Sequence, residues 1–333
     1  MVIKEESHIQ LALDKAWIYQ GLTYPNPPVG SVITDENNNF ISYGVHVKAG
    51  TPHAEVNAIK KAYYKLTNDK AIMDIEDSKD IHDYLFTNHN GIFKNKNIYV
   101  TLEPCNHFGK TPPCSHLIKE LRFKKVFIGT LDPNKIASGG LEYLQKNGLH
   151  VEVLNLSTCK ELLEPFSIWQ KESFVFFKLA MSNNGVINGG TITCKDSRKL
   201  VHELRDRCDL LVIGGNTVRV DRPTLDARLC NGKAPDILIY SKTKDFDKNI
   251  PLFNVPNRVV YIEDSFDKIK KYNFVMIEGG EGMLKATKEL VAYYLIFRSP
   301  HFKEGNSPKF SLKLKELNSS NIGEDRLTWF KKC

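Results

Sequence analysis

The chain has 333 residues, 41% hydrophobic and 26% charged, the balance of an ordinary globular protein with room for two domains that each bury a core. It holds no run of 18 apolar residues, and its opening Met-Val-Ile-Lys-Glu-Glu lacks a secretory pattern, so neither a membrane helix nor export is expected. The net charge of +7 (46 basic minus 39 acidic) comes from lysines scattered through polar stretches without interleaved aromatics, which argues against nucleic acid and leaves room for a phosphorylated small molecule.

Residues 7–20 carry Ile9, Leu11, Leu13, Ala16 and Trp17 among polar neighbours, the pattern of an amphipathic helix. Tyr24-Pro-Asn-Pro-Pro-Val-Gly30 follows, too proline-rich for helix, and leads into a strand over 29–34, a turn at 35–39 and a returning strand over 40–46. A helix is predicted from His53 to Leu66. Residues 67–96 are polar and weakly patterned, and read as a long surface insertion. Strands are expected at 98–102, 126–130 and 151–154, with helices near 115–122 and 141–147, the last stopped by Gly148. A first domain is thus expected over 1–154, a connecting helix over 155–172 and a second domain over 173–333. In the latter, strands at 174–181, 209–213, 236–240, 258–262 and 273–277 with a helix at 196–206 argue for a mainly parallel sheet. Residues 284–297 read as a helix running into a strand, and 303–326 as irregular.

Chemistry concentrates between His53 and Cys114. His53, Cys105 and Cys114 are borderline or soft donors that suit Zn²⁺, and three protein ligands leave a fourth position for water. Glu55, two residues from His53, is close enough to move protons without being a ligand. His-x-Glu followed by Pro-Cys-x-x-Cys marks zinc deaminases that act on nucleobases. Here eight residues separate the cysteines instead of two, so a loop stiffened by Pro112 and Pro113 must return Cys114 to Cys105. Taken singly, each of these side chains would read as a surface group or a buried thiol; the four in this order read as a metal centre. The other five cysteines are expected to be reduced thiols in a cytoplasmic protein.

Several motifs together resemble the bifunctional deaminase–reductases of bacterial riboflavin biosynthesis. In the first half they are Pro25-Asn-Pro-Pro-Val-Gly30, Gly44-Val-His46, His53-Ala-Glu55 and Thr101-Leu-Glu-Pro-Cys-Asn-His-Phe-Gly-Lys-Thr-Pro-Pro-Cys114. In the second they are Lys178-Leu-Ala, Val201-His-Glu-Leu-Arg205, Gly214-Gly-Asn-Thr-Val-Arg-Val-Asp221, Pro223-Thr-Leu-Asp-Ala-Arg228 and Glu278-Gly-Gly280. The resemblance implies a three-layer α/β/α domain like cytidine deaminases, followed by an α/β domain like dihydrofolate reductase. It implies deamination of 2,5-diamino-6-ribosylamino-4(3H)-pyrimidinone 5′-phosphate, then NADPH-dependent reduction of the product's ribosyl group to ribityl, and a homodimer or homotetramer. Carried over residue by residue, it gives Glu55 the proton transfers, and Asn26, His46, His107 and Lys110 the deaminase substrate. Arg205, Leu225, Arg228 and Glu278 would contact the reductase substrate. Ala180, Thr193, Thr217, Asp221 and the run Gly279, Gly280, Glu281, Gly282 and Met283 would line NADPH. Glycines after a strand let backbone N–H groups approach phosphates. The chain departs from the family at Ser182-Asn-Asn-Gly185, where Ser-Leu-Asp-Gly is usual, and at Thr191, where tryptophan is usual. Two other readings stay open: a tRNA adenosine deaminase, which calls for a close cysteine pair and a basic channel, and a deaminase whose second domain only scaffolds assembly.

Overall fold

A computed structural model describes residues 5–109, 111–134 and 136–333. Contacts divide the chain into Met1–Ser167 and Ile168–Cys333. The first unit runs α1 (Glu5–Trp17), β1 (Gly30–Thr34), β2 (Phe40–Val45), α2 (Ala54–Thr67), α3 (Ser78–Asn88), β3 (Asn97–Val100), α4 (Cys114–Leu121), β4 (Lys125–Ile128), α5 (Gly140–Lys146) and β5 (His150–Val153). Helix α6 (Ser157–Trp169) follows where the connecting helix is expected. The sheet order is β2-β1-β3-β4-β5, with β1 antiparallel to both neighbours and β3, β4 and β5 parallel.

Strand alternation assigns the two faces of this sheet. Ile98, Val100, Val126 and Ile128 point into a core shared with Val56 and Ile59 of α2 and Leu117 and Ile118 of α4. Tyr99 and Phe127 point the other way, stacked at 4.5 Å, and His8 of α1 lies 4.8 Å from Tyr99. Helices therefore cover both faces, as a three-layer α/β/α sandwich requires. Gly44 sets how closely α2 crosses β2, since a Cβ there would lie 2.2 Å from both Ala54 O and Ala58 N. That approach holds the start of α2, and with it His53, against the end of β2.

The reading of 67–96 as a surface insertion is corrected. It forms a short 3-10 turn (Lys70–Asp74) and α3, capped by Asp77, which accepts from Lys79 N at 2.8 Å and Asp80 N at 3.1 Å. Ile72, Ile81, Leu85 and Phe93 are fully buried in the first unit's core. The apolar stripe has only Ile81 and Leu85, four apart on one turn of α3, too few to show as a period among polar neighbours.

The second unit runs β6 (Phe174–Met181), α7 (Lys195–Arg207), β7 (Leu210–Gly214), α8 (Gly215–Asp221), β8 (Asp236–Tyr240), β9 (Val260–Glu263), β10 (Phe274–Glu278), α9 (Glu281–Ala286), β11 (Tyr293–Arg298), β12 (Leu314–Ile322) and β13 (Asp325–Lys332). Its sheet order is β12-β13-β11-β6-β10-β7-β8-β9. The six strands from β11 to β9 in that order are parallel, and the β12–β13 hairpin joins antiparallel to β11. Phe174, Phe176 and Phe274 stack on one face of the central pair, while Val175, Phe177, Val275 and Ile277 build the core of the other. The expectation of irregular chain over 303–326 is also corrected, because β12 occupies 314–322. Its Lys-Glu-Leu-Asn-Ser-Ser-Asn run is polar because β12 is the edge strand, paired on one side only. Among the described residues no helix is long and apolar enough to cross a membrane.

Candidate functional site

Two helix starts meet in the first unit. His53 is the N-cap of α2 and Cys114 is the first residue of α4. The Cys105 and Cys114 sulfurs each lie 3.5 Å from His53 Nδ1, and the Cys114 N–H donates to Cys105 Sγ at 3.4 Å. One ligand atom from each of the three residues falls within 4.8 Å of the others. The nitrogen facing both sulfurs is Nδ1. Nε2 meets Thr111 Oγ1 at 3.4 Å, an outer contact of the kind that fixes ring orientation in metal sites. Cys105 is held far below the usual thiol range, first by the hydrogen bond from Cys114 and then by His53, against the cost of burial. Cys114, sharing that bond and buried, is pushed up. An imidazole and two sulfurs, one of them ready as thiolate, match zinc's preference for nitrogen and sulfur donors, and three ligands are what a catalytic site supplies. The donor set fits the ion.

Glu55 lies in the first turn of α2 and is 3% exposed. Burial lifts its carboxyl to about 7, with the Cys105 charge adding and His53 opposing. His46 is likewise buried, and burial pushes its ring down to about 4, so it is neutral. Its Nδ1 lies 3.3 Å from Pro52 O and its Nε2 lies 3.2 Å from Asn26 Nδ2. A proton on Nδ1 satisfies both, with Nδ1–H donating to the carbonyl and the Asn26 amide donating to Nε2. The His46 and His53 rings meet edge to face at 5.1 Å, so Asn26 and His46 are brought to the metal trio. His107 is half-buried in the loop between the cysteines, with its Nδ1 unpartnered among the described residues. Lys110 lies outside the described residues.

Three supporting residues carry no role in the sequence reading. Asn57 of α2 donates from Nδ2 to Val45 O at 2.9 Å and Pro52 O at 3.1 Å, tying the His46 segment to the helix that carries Glu55. Thr111 holds His53 as described. Glu103, two residues before Cys105, accepts from Asp132 N at 3.2 Å and from Gly139 N and Leu141 N at 3.0 Å each. That binds the 131–141 loop beneath the metal turn, where a Cβ on Gly140 would lie 1.9 Å from Pro104 O. Only the Glu-Pro-Cys spacing hinted at this. Beside the loop between the two cysteines, Lys79, His82 and Phe86 of α3 and Phe108, Thr111 and His116 line a cavity of about 350 Å³.

In the second unit the parallel strands β6, β10 and β7 are neighbours, so their carboxyl ends share one edge of the sheet, where ligands of open α/β sheets bind. Ala180 is near the end of β6, Thr217 and Asp221 are in α8 just past β7, and Gly279 to Met283 turn from β10 into α9. Thr193 precedes α7 by two residues. Glu278 closes β10, where Arg205 Nη2 reaches its carboxylate at 2.9 and 3.1 Å and Arg205 Nη1 donates to Asp226 O at 3.4 Å. Burial would raise the Glu278 carboxyl, yet Arg205 and then Lys178 hold it below the usual range. Lys178 pairs in register with Glu278, and burial lowers its amine. Arg228 Nη1 donates to Asp226 at 2.8 Å from a largely exposed position. Leu225 is buried with φ +55°, in the left-handed region. Glu281 is bound by Lys285 and accepts from Lys309 N at 2.8 Å. The departing Ser182–Thr191 loop is held by the 303–307 segment, through Asn184 Nδ2 to Lys303 O at 2.8 Å and Lys303 Nζ to Gly189 O and Thr191 O at 3.0 and 2.9 Å.

Fold and site define a zinc deaminase joined to an α/β reductase. Residues 2–130 match the cytidine and deoxycytidylate deaminase zinc-binding region, and residues 173–291 match the RibD C-terminal domain. The chain is 30% identical to the riboflavin biosynthesis protein RibD of Aquifex aeolicus over 98% of each chain. It is 32% identical to that of Synechocystis over 80% of this chain and 68% of the relative. A solved structure from Thermotoga maritima, of a diaminohydroxyphosphoribosylaminopyrimidine deaminase/5-amino-6-(5-phosphoribosylamino)uracil reductase, matches over 99% of each chain with TM-score 0.62 and 26% identity. Acinetobacter baumannii RibD has the same fold, at TM-score 0.64 and 22% identity over 99% of each chain. The chain belongs to the RibD family, the bifunctional deaminase–reductases of riboflavin biosynthesis. Both halves carry their family's match, which favours the bifunctional enzyme over a tRNA deaminase or a purely scaffolding second domain.

Proposed function

We propose that the first unit hydrolyses the amino group of 2,5-diamino-6-ribosylamino-4(3H)-pyrimidinone 5′-phosphate, and that the second reduces the ribosyl group of the product to ribityl with NADPH. His53, Cys105 and Cys114 would hold zinc, which would supply a nucleophile from water at neutral pH. Glu55 takes one proton from the attacking water and delivers it to the ring nitrogen, then carries the second, from the newly formed hydroxyl, to the amino group that leaves as ammonia. A carboxyl lifted to about 7 suits a group that must both accept and return a proton near neutrality. Asn26 and neutral His46 hold the pyrimidine, and His107 with Lys110 face its phosphate, for which a flexible ammonium is an apt point charge.

In the second unit NADPH supplies the hydride, and the chain supplies binding and orientation. Ala180, Thr193, Thr217, Asp221 and 279–283 line the cofactor along the carboxyl edge of the sheet. Arg205 is fixed by Glu278 and so serves as an oriented donor, leaving exposed Arg228 as the guanidinium freer to take the substrate phosphate. Leu225 contacts the same substrate. Assembly into a dimer or tetramer belongs to the same reading and is checked by sedimentation.

The observation that carries this reading is the approach of both sulfurs to His53 Nδ1 at 3.5 Å, with buried Glu55 beside them. Metal analysis of purified protein, followed by a two-step assay of ammonia release and then NADPH oxidation, tests it. The reading requires about one zinc per chain and both activities in sequence. Zinc-free protein that still deaminated, or deaminated product that left NADPH unoxidised, would overturn the corresponding half.

A further inference from the structure

Arg258, in the turn before β9, spends its guanidinium on backbone. Nη1 donates to Leu225 O at 2.7 Å, Nη2 to Thr224 O at 2.8 Å and to Leu252 O, and Nε has no partner among the described residues. Two successive carbonyls turn toward the same side chain because Leu225 is left-handed; in extended chain they would point apart. A leucine at φ +55° is strained, and such strain persists only where the surroundings over-determine it. The next carbonyl in line, Asp226 O, is taken by Arg205, and the Asp226 carboxylate faces Arg228 at 2.8 Å and His202 at 3.8 Å. Bonds from a cation to three backbone carbonyls stabilise the loop, and an apolar side chain would leave those carbonyls without them. What the guanidinium adds is geometry.

We infer that Arg258 is a positioning residue for the reductase substrate: by holding the Thr224 and Leu225 carbonyls it sets the left-handed turn that presents Leu225 and Arg228. This rests on the reading that those two residues meet the substrate. The side chain touches neither substrate nor cofactor and acts through the loop. Thr224 leads the loop out of α8 and Leu252 anchors the far side, so the guanidinium clips three chain segments together at one point.

The test uses the full chain, with NADPH oxidation measured against deaminated substrate and ammonia release as an internal control. Arg258→Met should raise KM for that substrate by about tenfold or more, as loss of binding shared by substrate and transition state does. KM for NADPH and the rate of ammonia release should stay unchanged, with kcat affected less than KM. Arg258→Lys, which keeps charge and donors, should recover part of the loss. Combined with Arg228→Ala, Arg258→Met should add less than it costs alone, because one of the two residues it positions is gone. Unchanged substrate KM in Arg258→Met, beside a defective Arg228→Ala, would overturn the positioning role alone. A silent Arg228→Ala would instead sink the assignment of Arg228 to the substrate. Parallel loss of kcat, NADPH affinity and melting temperature would mark Arg258 as merely structural. If Arg258→Met fails to fold, Arg258→Lys decides by the same split between KM and kcat.

Discussion

Glu103 offers the sharpest test of how the metal turn is built. Its carboxylate is 7% exposed and accepts three backbone N–H groups, from Asp132, Gly139 and Leu141, at 3.0 to 3.2 Å. Glu103→Ala removes all three bonds. Taking about 1 kcal/mol for each, the central value for a protein hydrogen bond, the loss is about 3 kcal/mol. At 2–4 °C per kcal/mol for a unit of this size, the first transition should fall by about 6–12 °C. Freed from Glu103, the 131–141 loop no longer presses Gly140 against Pro104 O, so Cys105 loses its backing and zinc affinity should fall as well. Scanning calorimetry with metal analysis after dialysis against a chelator reads both effects. Glu103→Gln isolates the charge: it keeps one carbonyl acceptor but turns an amide N–H₂ toward backbone donors, and should fall between wild type and Glu103→Ala. Melting within a degree of wild type with full zinc retention in Glu103→Ala would refute the argument that this carboxylate holds the turn.

Other expectations are as definite. His53→Ala or Cys105→Ala should lose bound zinc and ammonia release while still oxidising NADPH with supplied intermediate; retained zinc would disprove the ligand set. Glu55→Gln should keep the metal and lose at least ~10²-fold in deamination, the usual scale for a general acid–base group. Because Glu278 is held below the ordinary carboxyl range by Arg205 and Lys178, its contribution to stability is full above the unfolded value of about 4.3 and is lost as pH falls through the lower folded value. The second unit should therefore melt progressively earlier on acidification below about pH 4.3, and Glu278→Gln should flatten that slope; an equally steep slope in the variant would contradict the coupling. Leu85→Ala, in the segment first read as surface, should cost about 2–5 kcal/mol as a fully buried leucine does. A change under half a kilocalorie per mole, measured by urea unfolding, would return α3 to the surface.

How far the residues alone reach depends on how local the signal is. His-Ala-Glu and Glu-Pro-Cys mark their chemistry through neighbours one or two positions apart, and the spacing to Cys114 demands a return loop that the structure supplies. The strands of the parallel sheet are nearly continuous apolar runs, as strands buried on both faces must be. Residues 67–96 and 303–326 misled for a shared reason. Ile81 and Leu85 bury a single turn of a capped helix, and β12 buries little because it is an edge, so neither leaves a period strong enough to rise above polar neighbours.

What the sequence by itself determined is the inventory: an imidazole, two thiols and a carboxyl in deaminase order, then a run of apolar strands that argues for a mainly parallel sheet. What the tertiary structure alone decided is which atoms face one another. That Nδ1 rather than Nε2 of His53 meets the sulfurs, that Arg205 spends its charge on Glu278, and that Arg258 holds carbonyls instead of an anion all depend on groups 33 to 73 positions apart meeting in space. Chain order carries no distance information on that scale, because loop closure and sheet register are set by packing of the whole unit.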